Sequence, residues 1–307
     1  MKRTILLVLL FLGSTRNTHS QTPQNLTPTQ AQQKHLLGKT TIEQLRAQPF
    51  SEWFTKNYNE YEPNMQVVKR FAEADVKKLL PTLQITVVYG TWCGDSKREV
   101  PRFLKLADQL GLKPQQITLI GVDNTDSSYK QSPNHEERTF NVFRVPTFII
   151  TQNGREIERI TEFPVTTLER DLYSVVKREP YITNYPSYKL IQEWLSSGVL
   201  ADTNTSAAGI GMALKRINPA LGESELNACG YVLMSRGQIT EALAVFRANC
   251  VLFPLSANCW ESLSECYEKK HVFAKAIQCC ERALELDPKN SPAMKRLITL
   301  KAMSLKN

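Results

Sequence analysis

The chain has 307 residues, 42% of them apolar, a length that favours two domains of ordinary size. Seven cysteines are too few for a fold built on disulfides, and the 13 Gly and 16 Pro residues follow no period, which excludes collagen-like and low-complexity chains. The net charge is +8, but residues 1–20 carry three of the basic residues, and 35 basic against 30 acidic residues remain without them. This mild excess, with no basic run interleaved with aromatic residues, speaks against a nucleic-acid partner.

The N-terminus has the pattern of a secretory signal. Lys2 and Arg3 precede eight apolar residues, Ile5 to Leu12, and the small residues of Thr18-His19-Ser20 suit a signal peptidase. An apolar run of this length is too short to cross a bilayer, which takes about 20 residues. We therefore expect a signal peptide over 1–20, a mature chain beginning at Gln21 with no membrane span, and export to the periplasm or the extracellular space.

The next segments change from polar to amphipathic. Residues 21–40 are rich in Gln and Thr and predict a disordered linker. Thr41 and Gln44 have the spacing of a capping box, so we expect structure to begin at Thr41. Apolar residues at helical spacing predict one further helix from Met65 to Leu80, which Pro81 ends.

From residue 85 the periodicity becomes that of an α/β domain. The predicted strands are Ile85 to Tyr89, Ile117 to Val122, Phe148 to Thr151 and Glu156 to Ile160. The last two should form a hairpin at Asn153-Gly154. A helix after Cys93, a short helix around Pro133 to Asn141 and a closing helix capped by Thr166 complete the domain. The order implies a parallel crossover with an antiparallel edge.

One motif in this region resembles the active site of the thioredoxin family. It consists of the run from Tyr89 to Lys97 (YGTWCGDSK), Pro101, and Val145-Pro146-Thr147-Phe148 at the start of a later strand. The resemblance spans about residues 83–178 and implies a thioredoxin-like domain over 41–180, with an N-terminal helical extension. It also implies that Pro146 is cis and lies against Cys93, and that Trp92, Val145 and Pro146 bind substrate.

The chemistry of Cys93 follows from its position. A cysteine where a strand gives way to a helix faces unpaired amide N–H groups and the positive end of the helix dipole, which favour the thiolate. Ser96, three residues later, can donate its hydroxyl to the same sulfur. Cys93 is therefore the predicted nucleophile, with Ser96 as its helper.

Two departures from the thioredoxin pattern limit the reaction. Ser96 replaces the second cysteine, so the motif cannot form its own disulfide, and Val87 stands where thioredoxin has a buried Asp. A dithiol reductase is excluded. A single thiol can still form mixed disulfides or support isomerisation with protein or peptide clients. The alternative is a non-enzymatic adaptor or chaperone-like protein whose domains only bind, so the sequence leaves open whether the protein is an enzyme.

The C-terminal region repeats at an interval of 34 residues. The shift aligns Leu226 with Trp260, Gly230 with Ser264, Ala242 with Ala276, and Pro254 with Pro288. This pattern resembles the tetratricopeptide repeat and predicts a connector over 181–205 and a helical domain over 206–307. In such a domain Trp260 should be buried, and the concave face is the expected site for a peptide partner. The predicted fold class is thus an α/β thioredoxin-like domain followed by an all-α tetratricopeptide-like helical domain.

No cofactor or metal site is predicted. The six cysteines between 229 and 280 form no Cys-x2-Cys pairs of the kind that bind zinc, and their disulfide pattern stays open. They are Cys229, Cys250, Cys259, Cys266, Cys279 and Cys280. A phosphate-binding glycine loop is also missing from the sequence.

Overall fold

A five-stranded β-sheet with the order β1-β3-β2-β4-β5 forms the centre of the N-terminal domain. The computed structural model describes residues 35–304, so the predicted signal segment and residues 21–34 of the predicted linker lie outside it. The strands are β1 (Gly38–Thr40), β2 (Leu83–Tyr89), β3 (Ile117–Gly121), β4 (Thr147–Gln152) and β5 (Arg155–Thr161). β2 and β3 are parallel and the other neighbours antiparallel, as the predicted crossover and hairpin require.

Regular secondary structure begins before Thr41, the predicted start. β1 pairs with β3 over three residues, and Leu36, just before it, is buried. The linker prediction is therefore wrong for these last residues. Gly121 allows the approach, because a Cβ there would lie 2.1 Å from the Leu36 carbonyl oxygen.

Six helices belong to this domain: α1 (Ile42–Arg46), α2 (Ser51–Glu60), α3 (Met65–Arg70), α4 (Ala74–Lys77), α5 (Gly94–Gln109) and α6 (Leu168–Lys177). Thr41 and Gln44 form the predicted capping box of α1. The prediction of a single helix over 65–80 is wrong, because the helix is interrupted between α3 and α4. Phe71 and Val76 on either side of the break are both buried, and residues five apart on one helix point about 140° apart.

The two faces of the sheet differ. Side chains alternate along β2, so Val87 enters the large core beside Phe148 while Val88 enters a smaller cluster with Ile149. Cys93 packs against that smaller cluster. The short helix expected over 133–141 is only a 3₁₀ turn, Arg138–Phe140.

The C-terminal half is helical. Its helices are α7 (Ser187–Ser197), α8 (Ala207–Ile217), α9 (Glu223–Ser235), α10 (Ile239–Leu252), α11 (Ala257–Lys269), α12 (Phe273–Leu286) and α13 (Ser291–Ser304). α9, α11 and α13 begin at positions 223, 257 and 291, and α10 and α12 at 239 and 273, which agrees with an interval of 34 residues. Assignment to the tetratricopeptide family stays a prediction. None of the helices that the structure describes has the length and apolarity to cross a membrane.

Two expectations for this half need correction. The stretch 181–205 is not only a connector, because it contains α7, whose Tyr188 and Ile191 are buried in the helical core. Trp260 is only half-buried, and its ring N–H donates to the Pro254 carbonyl at 2.9 Å. An indole at the end of a helix can satisfy its N–H in this way while one side of the ring stays in water.

The two halves share an interface built by the long loop between β3 and β4. Phe143 of this loop is 2% exposed and packs in the helical core, with its ring 5.0 Å from that of Tyr188. The Gln131 side chain donates to the Ser235 carbonyl at 2.9 Å, and Arg144 donates to the Ser224 carbonyl at 3.0 Å. The start of the helical domain is thereby fixed beside the cysteine.

Candidate active site

Cys93 caps the N-terminus of α5. Its backbone is extended (φ −84°, ψ 128°), and the 16-residue helix starts at the next residue. The position therefore aims the free amides of the first helical turn and the positive end of the dipole at the sulfur, as expected. The Cys93 thiol donates to the Val145 carbonyl at 3.3 Å. This contact brings together the two sequence-distant parts of the predicted motif.

Ser96 lies beneath Cys93 and is fully buried. Its hydroxyl oxygen accepts the Gly90 amide N–H at 3.1 Å. Among the described residues no hydrogen bond joins this hydroxyl to the Cys93 sulfur, so the observed partner of Ser96 is the turn that precedes the cysteine. Ser96 thus fixes the shape of the Gly90–Cys93 turn.

Of the three predicted substrate-binding residues, Val145 contacts the thiol and Trp92 precedes Cys93 in the chain, while Pro146 follows Val145. The Val145–Pro146 bond is cis, as the resemblance implied. The Trp92 ring N–H donates to the Val122 carbonyl at 2.8 Å, which fixes the indole at the edge of the site. Val145 is only 3% exposed and its carbonyl accepts the thiol, so this carbonyl already has a partner within the chain.

A cavity of about 360 Å³ opens above the sulfur, and we call it the cysteine cavity. Both halves of the chain line it. Trp92, Cys93, Tyr129, Lys130, Arg144, Val145 and Glu162 come from the α/β domain, while Ser224, Asn227, Ala228, Tyr231 and Asn258 come from α9 and α11. The helical domain therefore forms one wall of the reaction site.

Lys130 is a cavity residue that the motif did not reveal. It is 6% exposed, its ammonium donates to the Phe143 carbonyl at 2.7 Å, and it lies 4.7 Å from the centre of the Tyr129 ring. Burial, aided by the positive charge of Arg144, lowers the pKa of Lys130 to about 7, against the opposing influence of Glu162 and Cys93. A buried amine that titrates near neutral pH beside a cysteine can exchange a proton there.

Arg144 is the second cavity residue that the sequence motif did not reveal. It forms an ion pair with Glu162 at 3.0 Å and donates to the Tyr188 hydroxyl at 3.1 Å. Its position next to Val145 is the only hint that the sequence offers. Because the same guanidinium also reaches Ser224, it ties the cis-proline loop to the helical domain.

The other six cysteines differ sharply from Cys93. All seven are free thiols, but Cys93 alone is partly exposed and the six in the helical domain are buried. Burial raises the pKa of Cys259, Cys266 and Cys279 to about 12 and raises that of the others in the same direction. Since the thiolate is the nucleophile, these six are poor reagents at neutral pH.

Comparison with known families agrees with this geometry. The thioredoxin family model matches residues 65–177, from α3 to α6, a range that contains both the cysteine and the cis-proline. No curated protein matches the chain. The match and the sheet order confirm the predicted fold class at its α/β domain, which an all-helical region follows. Thioredoxin domains exchange thiols and disulfides, so the match supports a redox type of function.

Proposed function

We propose that the protein acts on thiols or disulfides of extracytoplasmic protein substrates through Cys93 alone. One observation carries the proposal. Cys93 is the single accessible thiol among seven, and it lies at a helix N-terminus in a cavity that also holds Lys130. The helix end directs unpaired amide N–H groups at the sulfur, and Lys130 can carry a positive charge in the same cavity.

The reaction is a thiol–disulfide exchange. The Cys93 thiolate attacks one sulfur of a client disulfide, a new S–S bond forms to Cys93, and the other client sulfur leaves as a thiolate. Lys130 in its ammonium form can supply the proton that this leaving sulfur takes up. No oxidant is consumed, because one disulfide replaces another.

Release of the client needs a second thiol. Ser96 cannot supply it, so the thiolate that just left the client, or an external thiol, attacks the mixed disulfide and frees Cys93. Attack by the client sulfur that left restores the original disulfide, whereas attack by a different client thiol gives isomerisation. We therefore assign Cys93 to mixed-disulfide or isomerase-type chemistry and not to net reduction of clients by the motif itself.

The remaining parts of the proposal concern location and partners. The N-terminal pattern over 1–20 supports export, and the 34-residue interval of helix starts supports a tetratricopeptide-type domain. The concave face of that domain is the proposed contact for a peptide partner.

A non-enzymatic adaptor is the second candidate. The observations in its favour are Val87, an apolar residue buried in the large core where thioredoxin has an Asp, and the hydrogen bond that commits Ser96 to the Gly90 amide. Both leave the cysteine without the groups that complete reduction in thioredoxin. In this alternative the same cavity binds clients without covalent chemistry.

Mass spectrometry of the intact chain separates the two candidates. The purified protein is mixed with a peptide that carries one internal disulfide, then quenched with acid. We expect an adduct of chain plus peptide for the wild type and for Cys259→Ser, and none for Cys93→Ser. If the wild type forms no adduct but still binds the peptide, and Cys93→Ser binds it equally, the adaptor is correct and the redox proposal is wrong.

A further inference from the structure

One side of α9 borders the cysteine cavity. The lining residues on this helix are Ser224, Asn227, Ala228 and Tyr231. Their spacing of three, one and three positions places them on the same side of a helix. Arg144 donates to the Ser224 carbonyl at 3.0 Å and so fixes the start of α9 beside the cis-proline loop. The helical domain therefore presents a defined row of side chains to the cavity of Cys93.

Asn249 of α10 fixes the orientation of one of these side chains, Asn227, from behind. The Asn249 amide nitrogen donates to the Glu223 carbonyl at 3.0 Å and to the Asn227 Oδ1 at 2.8 Å. A main-chain carbonyl only accepts hydrogen bonds, so the Asn249 atom that faces it is the nitrogen. The Asn227 atom that the same nitrogen contacts is then the oxygen. Because Asn249 is fully buried, this arrangement is held by the packing of the helical core.

The amide nitrogen of Asn227 is left as a free donor. Within residues 35–304 it has no acceptor, and it is not one of the enclosed polar atoms of that range, so solvent reaches it. Since Asn227 is only 8% exposed and lines the cysteine cavity, its two N–H groups face that cavity. A donor that is already oriented loses little further freedom when it binds an acceptor.

The main chain of a client passes within reach of this donor. A volume of about 360 Å³ equals that of a sphere about 9 Å across, and adjacent residues of an extended chain lie about 3.3 to 3.6 Å apart. A client whose sulfur lies at Cys93 therefore has the carbonyls of its cysteine and of the neighbouring residues within the span of the cavity. Every residue of a polypeptide offers such an acceptor, whereas a small thiol such as 2-mercaptoethanol has no carbonyl.

We propose that Asn227 binds a main-chain carbonyl of the client next to the reacting cysteine, and that Asn249 is the positioning residue that aims its amide. This inference rests on the proposed function, because it assigns the substrate class of the same cysteine. That class is polypeptides, recognised through the main chain and not through particular side chains. The helical domain then contributes a substrate contact as well as a wall of the cavity.

Two mixed disulfides test the proposal. One contains acetyl-Ala-Cys-Ala-amide and the other 2-mercaptoethanol, each joined through sulfur to thionitrobenzoate. The Cys93 thiolate attacks the sulfur of the probe, an S–S bond forms between them, and thionitrobenzoate leaves as a coloured thiolate because it is the weaker base. The measured quantity is the rate constant for the peptide divided by that for 2-mercaptoethanol, a ratio in which changes in the reactivity of Cys93 cancel. We expect Asn227→Leu to lower this ratio about threefold to tenfold, the effect of losing one hydrogen bond.

Further variants separate the donor from the fold. Asn227→Asp keeps the oxygen that accepts from Asn249 and loses the N–H donor, so it should also lower the ratio, and it tests the donor even if Asn227→Leu does not fold. Asn249→Leu should lower the ratio as well, and its addition to Asn227→Leu should cause no further fall, since it acts through that amide. Gln278→Leu is the matched control and should leave the ratio unchanged, because Gln278 is exposed on α12 and does not line the cysteine cavity.

The possible failures are distinguishable. Unchanged ratios in both Asn227 variants, with both probes reactive, would overturn this inference and leave the proposed function standing. An equal fall with Gln278→Leu would also overturn it. If Asn249→Leu lowers the ratio by the same factor with and without Asn227→Leu, the positioning role of Asn249 is wrong. If the wild type releases thionitrobenzoate no faster than Cys93→Ser, the proposed function itself fails.

Discussion

Replacing Lys130 by methionine tests whether an amine is truly buried beside the reactive cysteine. In the folded chain the pKa of Lys130 is lowered to about 7 by burial, whereas an unfolded chain restores the ordinary value of about 10.4. Below pH 7 both states hold the proton, and the fold bears the full cost of an enclosed ammonium. As the pH rises from 7 to 10, the folded state releases the proton while the unfolded state keeps it, so the wild type gains stability.

The size of this gain follows from the width of the pH interval. Each pH unit within it contributes up to about 1.4 kcal/mol, so the wild type should gain about 3 kcal/mol between pH 7 and pH 10. The variant has no proton to release and lacks this gain. It also loses the donor to the Phe143 carbonyl, which costs about 1 to 3 kcal/mol at every pH. The free energy of unfolding of the variant, relative to the wild type, should therefore fall by about 3 kcal/mol across the interval.

Urea melts followed by circular dichroism at pH 7, 8, 9 and 10 provide the measurement. Both proteins should carry Cys93→Ala, so that titration of the neighbouring thiol does not enter the comparison. Lys189→Met, at an exposed position on α7, reports the effect of removing one positive charge from the chain. A stability difference between Lys130→Met and the wild type that stays constant from pH 7 to pH 10 would refute the burial argument.

Three further predictions concern packing and resolution. Phe143→Ala should lower the free energy of unfolding of the full chain in urea by about 3 to 5 kcal/mol. Phe163→Ala, at a residue 40% exposed, should change it by less than about 1 kcal/mol. Equal losses of stability in the two variants would contradict the packing of Phe143 in the helical core. Gly230→Ala places a Cβ 2.5 Å from the Phe246 ring and should cost about 1 to 3 kcal/mol, partly restored by adding Phe246→Leu, and a stabilised single variant would disprove the close contact of α9 and α10. Ser96→Cys should shorten the life of mixed disulfides at Cys93 and leave an internal disulfide visible by mass spectrometry, and unchanged lifetimes would show that the two sulfurs cannot meet.

Local patterns predicted most of the α/β domain. Strand alternation, the Thr41 capping box and the Asn153-Gly154 turn, whose φ angles are 52° and 75°, all appear where expected. The closing helix shifts by one residue, since Thr167 caps it and Thr166 instead donates to Asp171. Such features depend on neighbours within a few residues, so a single sequence contains them.

What the sequence did not reveal depends on contacts between distant residues. β1 has only three residues, too few to show a period, and it is fixed by pairing with β3. α7 lies between Pro186 and Gly198, the latter at φ 79°, and these two residues were available as boundary signals. Its apolar face is explained only by the helical core that it joins.

The same division holds for the site. Cys93, Ser96 and Trp92 lie in one short motif, and the cis-proline loop could be placed beside them by resemblance. Lys130 and Tyr231 belong to an irregular loop and to another domain, and no spacing relates them to the cysteine. Only the folded structure, in which Phe143 joins the two halves, shows that Lys130 and Tyr231 line the cavity of Cys93.

Phe143 belongs by sequence to the α/β domain and by packing to the helical domain. A fragment that ends before α7 would expose this ring to water, and a fragment that begins at α7 would keep an empty socket in its core. Neither half can therefore be exchanged for a homologous module unless the new partner brings a matching ring or socket. Recombination of this architecture, in nature or in the laboratory, must take the loop from 129 to 145 together with the helices that receive it.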